Sequence, residues 1–129
     1  MTDLVIDSNI LLASVLPDEP LTRQAQAILL HWSNTDIRLI APRLFRSELA
    51  AVVRKAVFQN RIMHEQGRQF LSLLLEYPVT HFEDDDLLKA AYEIAYRLNL
   101  PRAYDAQYLA LAERAEAEFS KQAGQGVVV

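Results

Sequence analysis

Three acids, Asp7, Glu48 and Asp105, stand far apart in a chain that lacks the other common equipment of catalysis. The glycines (Gly67, Gly124 and Gly126) follow no strand near the N-terminus, so neither phosphate-cradling glycine loop is available. His31, His64 and His81 share no ligand spacing, there is no cysteine, and no serine occupies a G-x-S-x-G elbow. Nucleophilic catalysis and a histidine-based zinc site are therefore poor matches. Three carboxylates on separate elements suit a hard cation instead. Mg²⁺ and Mn²⁺ take oxygen ligands, keep several waters and use few protein carboxylates. Such an ion lowers the pKa of a bound water and offsets the charge that develops on a phosphodiester. No protein nucleophile is then needed.

Each acid also has a plainer reading. Asp7 closes the apolar run Leu4-Val5-Ile6, and it or Ser8 can cap a helix beginning near Asn9. A carboxylate has lone pairs enough for a cap and a metal together. Glu48 has Leu44 and Phe45 before it and Val52 after it at helical spacing, which sets it on the edge of an apolar stripe. A carboxylate turned toward a core edge needs a metal or an arginine such as Arg46 or Arg102. Asp105 falls in the first turn of an alanine-rich helix, where the macrodipole favours negative charge. The run Asp84-Asp85-Asp86 reads as a solvated helix start, since consecutive helical residues cannot all face one ion.

The elements that must position these acids are short apolar strands alternating with amphipathic helices. Strands are expected over residues 3–7, 37–42 and 79–82, with "GQGVVV" able to supply another after its glycine turns. Helices are expected over residues 9–16, within "PDEPLTRQAQAILLHW", over residues 42–58 from Pro42 in the first turn, and over residues 63–76, 84–98 and 104–119. The alternation predicts an α/β sandwich with a mostly parallel sheet, whose ligands gather at the carboxyl ends of strands. Asp7 lies at one such end.

With 129 residues, half of them hydrophobic, one domain over residues 1–129 is expected. No export signal or membrane span is visible, which points to the cytoplasm. Net charge is −4, yet its distribution is uneven. Between residues 43 and 68 six basic residues (Arg43, Arg46, Arg54, Lys55, Arg61, Arg68) face two acids, and between residues 76 and 119 ten acids face four bases. A basic middle beside an acidic second half suits a polyanion held near a metal-loaded site, although solvated helix faces would give the same balance.

These stretches resemble those of PIN-domain proteins, and most of all the VapC-like toxins of bacterial toxin–antitoxin pairs. "LVIDSNILLA" resembles the family's opening strand, with Asp7 in the acidic place and Ser8 and Asn9 in its hydroxyl and polar slots. "APRLFRSELAAVVRKA" resembles the second motif, with Glu48 in the acidic place, and "LPRAYDAQYLALAE" the third, with Asp105 there. The resemblance runs from residue 3 to about 119. It implies a PIN-like three-layer sandwich, a four- or five-stranded mostly parallel sheet flanked by helices. It also implies Mg²⁺- or Mn²⁺-dependent endoribonuclease activity, with Asp7, Glu48 and Asp105 as metal ligands and Ser8 and Asn9 in support. An RNA substrate, steered by Arg43, Arg46, Arg54 and Lys55, a small VapB-like antitoxin and a homodimer complete the expectation.

One departure stands out. The family's fourth acid would fall near Gln122 or Ala123, and no acid occurs after Glu118, so the tail from about residue 120 reads as divergent or truncated. A catalytically silent module that binds antitoxin or RNA is therefore the rival reading. A phosphoryl-accepting receiver fits less well, because Ser8 and Asn9 rather than acids follow Asp7 and no lysine ends a strand.

Overall fold

The computed structural model of the chain describes residues 1–17, 19–121 and 127–128. They fall into two units, a sheet unit (residues 1–6, 36–43 and 79–129) and a helical unit (residues 7–35 and 44–78).

In the sheet unit, the apolar run near the N-terminus forms β1 (Thr2–Val5) and "IRLIAP" forms β2 (Ile37–Pro42). They pair in parallel with Asp3 opposite Arg38 and Leu4 opposite Leu39. The Ile6 amide carries the ladder one step further, donating to the Ile40 carbonyl at 2.9 Å. β3 (Thr80–Phe82) adds to β2 and β4 (Val127–Val128) adds to β1, both in parallel, giving the order β3-β2-β1-β4. The strand expected from the valine tail is thus present, while the glycines expected to turn into it lie outside the described residues. Asp3 and Arg38 join neighbouring strands through a two-pronged pair, Nε to Oδ1 at 2.9 Å and Nη2 to Oδ2 at 2.8 Å. The same guanidinium lies 5.8 Å from the centre of the Phe82 ring, so one side chain laces three strands.

Two helices complete this unit, α5 (Asp85–Arg97) and α6 (Ala106–Lys121). Leu87, Ala91, Ile94 and Ala95 repeat at helical spacing and pack with Ala106, Ala110, Leu111 and Ala115, together with Val5 and Ile40 of the sheet. The many alanines let backbones approach closely, and Leu87, fully buried, is worth roughly 2 kcal/mol of transfer free energy. Asp84 starts α5 by accepting the Leu87 amide at 2.8 Å, and Arg114 of α6 grips both of its oxygens at 2.8 Å.

The helical unit holds α1 (Ser8–Val15), α2 (Thr22–Ser33), α3 (Leu44–Phe58) and α4 (His64–Glu76). α1 lies against α2 and α3 against α4, and α1 also touches α3 and α4. Phe45, Leu49, Val53 and Ala56 form the buried stripe of α3, as their spacing predicts. Gly67 lets α4 approach α3, for a Cβ there would meet Cγ2 of Val57 at 2.7 Å. No helix of the described residues is long and apolar enough to cross a membrane.

Candidate active site

Asp7 is the N-cap of α1. Its backbone is extended, and Oδ1 accepts the Asn9 amide at 3.0 Å and the Ser8 hydroxyl at 3.4 Å. The cap expected from the sequence is therefore present, and Ser8, only 5% exposed, steadies the carboxylate from within the fold. The other oxygen, Oδ2, has no hydrogen bond among the described residues, and the side chain is exposed. Capping takes only part of its acceptor capacity. Asn9 is exposed beside it.

Glu48 sits one turn into α3, half-buried between the buried Phe45 and Leu49. Its place on the rim of the apolar stripe agrees with the sequence reading. Asp7 and Glu48 belong to the helical unit.

Asp105 belongs to the sheet unit and stands one residue ahead of α6. Backbone carbonyls serve the first-turn amides here: Gln107 N–H donates to Tyr104 and Tyr108 N–H to Asp105, each at 3.1 Å. The exposed Asp105 carboxylate consequently has no hydrogen bond of its own among the described residues. Its pairs of electrons are free for a ligand. Two residues on, Gln107 is 8% exposed, and its Oε1 is buried without a partner among the described residues. Sequence reasoning missed it; its one signal is an amide set in the apolar run "AQYLALA". Buried polar atoms are usually satisfied, so this one calls for a partner such as an ordered water or an ion.

As a donor set, Asp7, Glu48 and Asp105 offer only carboxylate oxygens, the chemistry that Mg²⁺ and Mn²⁺ prefer. Among the described residues, no three or more His, Asp or Glu side chains are gathered into a metal-binding group. Asp84, expected as part of a solvated helix start, is both cap and ion-pair partner. The Arg114 guanidinium, and after it the Leu87 amide, hold its carboxyl well below the usual carboxylate range, at about 2.

The basic residues differ in what they do. Arg46 donates to the Leu75 carbonyl at 3.3 Å and so ties α3 to α4. Arg54 lies over the exposed Phe58 ring at 5.7 Å, and Lys55 is exposed on the last turn of α3. Arg43 is exposed after β2, its amide bound to the Phe82 carbonyl at 3.0 Å. At the α3–α4 turn a surface depression of about 580 Å³ is lined by Val57, Asn60, Arg61, Ile62, Met63, His64 and Gln66.

Residues 4–119 match the model of the PIN domain, nearly the whole described chain, and Asp7, Glu48 and Asp105 lie within that span. The chain belongs to the PIN-domain family. Within it the chain is VapC-like. A VapC ribonuclease of Mycobacterium bovis is 33% identical over 110 residues, covering 85% of this chain and 77% of that protein. Ribonuclease VapC9 of Mycobacterium tuberculosis matches to the same extent. The crystal structure of Mycobacterium tuberculosis VapC20, a sarcin-ricin loop cleaving toxin, superposes with a TM-score of 0.66, covering 95% of each chain at 15% identity. At that identity the likeness speaks for the fold alone. The α/β class with a parallel sheet, expected from strand–helix alternation, is the PIN fold. The place of a fourth acid in this PIN-domain chain, near Gln122 or Ala123, lies outside the described residues.

Proposed function

We propose that this PIN-domain chain is a metal-dependent endoribonuclease, the toxin of a toxin–antitoxin pair. One observation carries the reading: the three acids all lie within the span that matches the family, and two of them keep unshared oxygens at exposed positions. The names of the 33%-identical relatives, both VapC ribonucleases, support the reaction class.

Asp7, Glu48 and Asp105 would supply the oxygens for one Mg²⁺ or Mn²⁺. Such an ion, when bound, would supply a more acidic water and positive charge against the phosphodiester. The Asn9 amide and the Ser8 hydroxyl orient Asp7, leaving Oδ2 for coordination. Arg43, Arg54 and Lys55 draw RNA toward the site, with Arg46 bracing the helix that presents two of them. A single PIN domain, working in the cytoplasm as a homodimer and restrained by a VapB-like antitoxin, completes the proposal.

Asp7→Asn tests it with little risk to the fold, because asparagine caps helices as well as aspartate. Losing a direct ligand costs more than losing the groups that orient one, so cleavage is expected to fall by roughly a hundredfold or more. The far-ultraviolet spectrum should not change. Undiminished cleavage of RNA in EDTA would refute the reading.

A catalytically silent binding module is the second reading, favoured by Gln122 and Ala123 at the fourth acidic place. Ala123→Asp separates the two. A large gain in cleavage marks a degenerate site, whereas unchanged activity means that three carboxylates suffice.

A further inference from the structure

The last turns of α3 set an aromatic ring among cations. Phe45, Leu49, Val53 and Ala56 take the buried side of the helix, so Glu48, Ala51, Lys55 and Phe58, at i, i+3, i+7 and i+10, follow the other side. Ten residues of helix put Phe58 on the order of 15 Å along the axis from Glu48. Its ring is 73% exposed and, unlike a tyrosine, has no hydroxyl to offer water. The Arg54 guanidinium lies over one face of the ring at 5.7 Å, which at that exposure leaves the other face open.

The surrounding charge identifies the occupant. Residues 54–68 carry four bases (Arg54, Lys55, Arg61 and Arg68) and one acid, Glu65, in a chain whose net charge is −4. Arg54 and Lys55 have no ion pair among the described residues. A guanidinium over a ring keeps its edge N–H groups for phosphate oxygens. Among the large apolar side chains exposed in the described residues, Met63 alone shares this turn with Phe58, so the broad apolar patch that a protein contact needs is missing here. One open aromatic face bordered by unpaired cations is the composition of a single-stranded nucleic-acid site, where each base has a face to stack and each phosphate a charge to neutralise. The depression at the same turn gives a strand room to continue. On its wall the Asn60 side chain and the amino group of Gln66 have no partner among the described residues.

We propose that the C-terminal end of α3 is a base-binding subsite, in which Phe58 stacks an unpaired base on its open face while Arg54 and Lys55 hold the flanking phosphates. Stacking tolerates every base, so the subsite selects an unpaired nucleotide at a fixed offset from Glu48 rather than a particular sequence. It rests on RNA as the ligand, as proposed above; metal binding and cleavage stand or fall separately.

Fluorescence anisotropy with an end-labelled uridine dodecamer, and with a dodecamer of abasic ribose phosphates, tests the subsite in an Asp7→Asn background that prevents cutting. Phe58→Ala should weaken uridine binding by roughly tenfold or more and leave abasic binding unchanged, because without bases the ring has nothing to stack. Phe58→Trp should keep the uridine affinity or raise it. The logarithmic salt slope should be the same in Phe58→Ala, which removes no phosphate contact, and smaller by about 0.7 in Lys55→Gln. Both positions are exposed, and melting curves verify the fold. A Phe58→Ala chain that binds uridine as tightly as its parent, or that loses as much on abasic RNA, overturns the subsite. So does a Phe58→Trp chain as weak as the alanine variant. If RNA binding survives Phe58→Ala while a co-expressed antitoxin is no longer retained, the ring serves a protein contact and the proposal falls. A parent chain that binds neither dodecamer overturns the premise as well, whereas the nuclease reading is decided by cleavage in EDTA.

Discussion

Two aspartates that begin helices behave differently, and the difference is local. Asp7 spends one oxygen on its cap, whereas Asp84 spends both, on an amide and a guanidinium. Asp84 is thus a structural acid with a pH signature. Its folded pKa, about 2, lies below the value of about 3.9 for a free aspartate, so its stabilisation is complete above about pH 4. It is lost as pH falls toward 2. Urea unfolding midpoints should therefore drop more steeply from pH 4 to pH 2 in the unmodified chain than in Arg114→Gln. The pairing of Asp84 with Arg114 was not legible in the sequence, where three adjacent acids look alike and the arginine lies on another helix. Asp7, Glu48 and Asp105 were legible as candidates because motif, residue type and expected element agreed at each. Gln107 was not, because an amide in an apolar run shows its burial only once the helix packs.

At the scale of elements, order and type of strands and helices were readable from apolar spacing, and the ends were less so. The sequence suggests strand to residue 7, but pairing stops at Ile6 and Asp7 turns to cap α1. Helices α3 and α5 both close on asparagines in the left-handed region, Asn60 at φ 59° and Asn99 at φ 53°. In each, a 6→1 bond (Arg61 to Ala56, Leu100 to Ala95) wraps a 5→2 bond (Asn60 to Val57, Asn99 to Tyr96). That is the usual glycine stop, here built on the next-best residue. Glycine is used instead where α4 meets α3. Gly67→Ala would gain about 1 kcal/mol of helix propensity but force Val57 aside at a cost of about 1–3 kcal/mol. A net loss of about 1 kcal/mol is expected, seen as a lower thermal midpoint. A rise in the midpoint would mean that the helices part without penalty.

For the molecule as a whole, net charge misleads and its placement informs. A chain of −4 would repel RNA if its charge were spread evenly, yet the stretch between residues 43 and 68 is basic. With Asp7→Asn to prevent cleavage, Arg54→Gln plus Lys55→Gln should lower RNA affinity and flatten its salt dependence. Each lost phosphate contact removes about 0.7 from the logarithmic slope, or roughly 1.4 for the pair. An unchanged slope would place the RNA elsewhere. The sheet order carries a last consequence. β1 and β2 lie close together in the sequence, but the other edge of β1 is paired only by Val127 and Val128. Until that segment is made the nascent chain therefore offers an open strand edge to chaperones, and a product clipped ahead of it would keep that edge sticky.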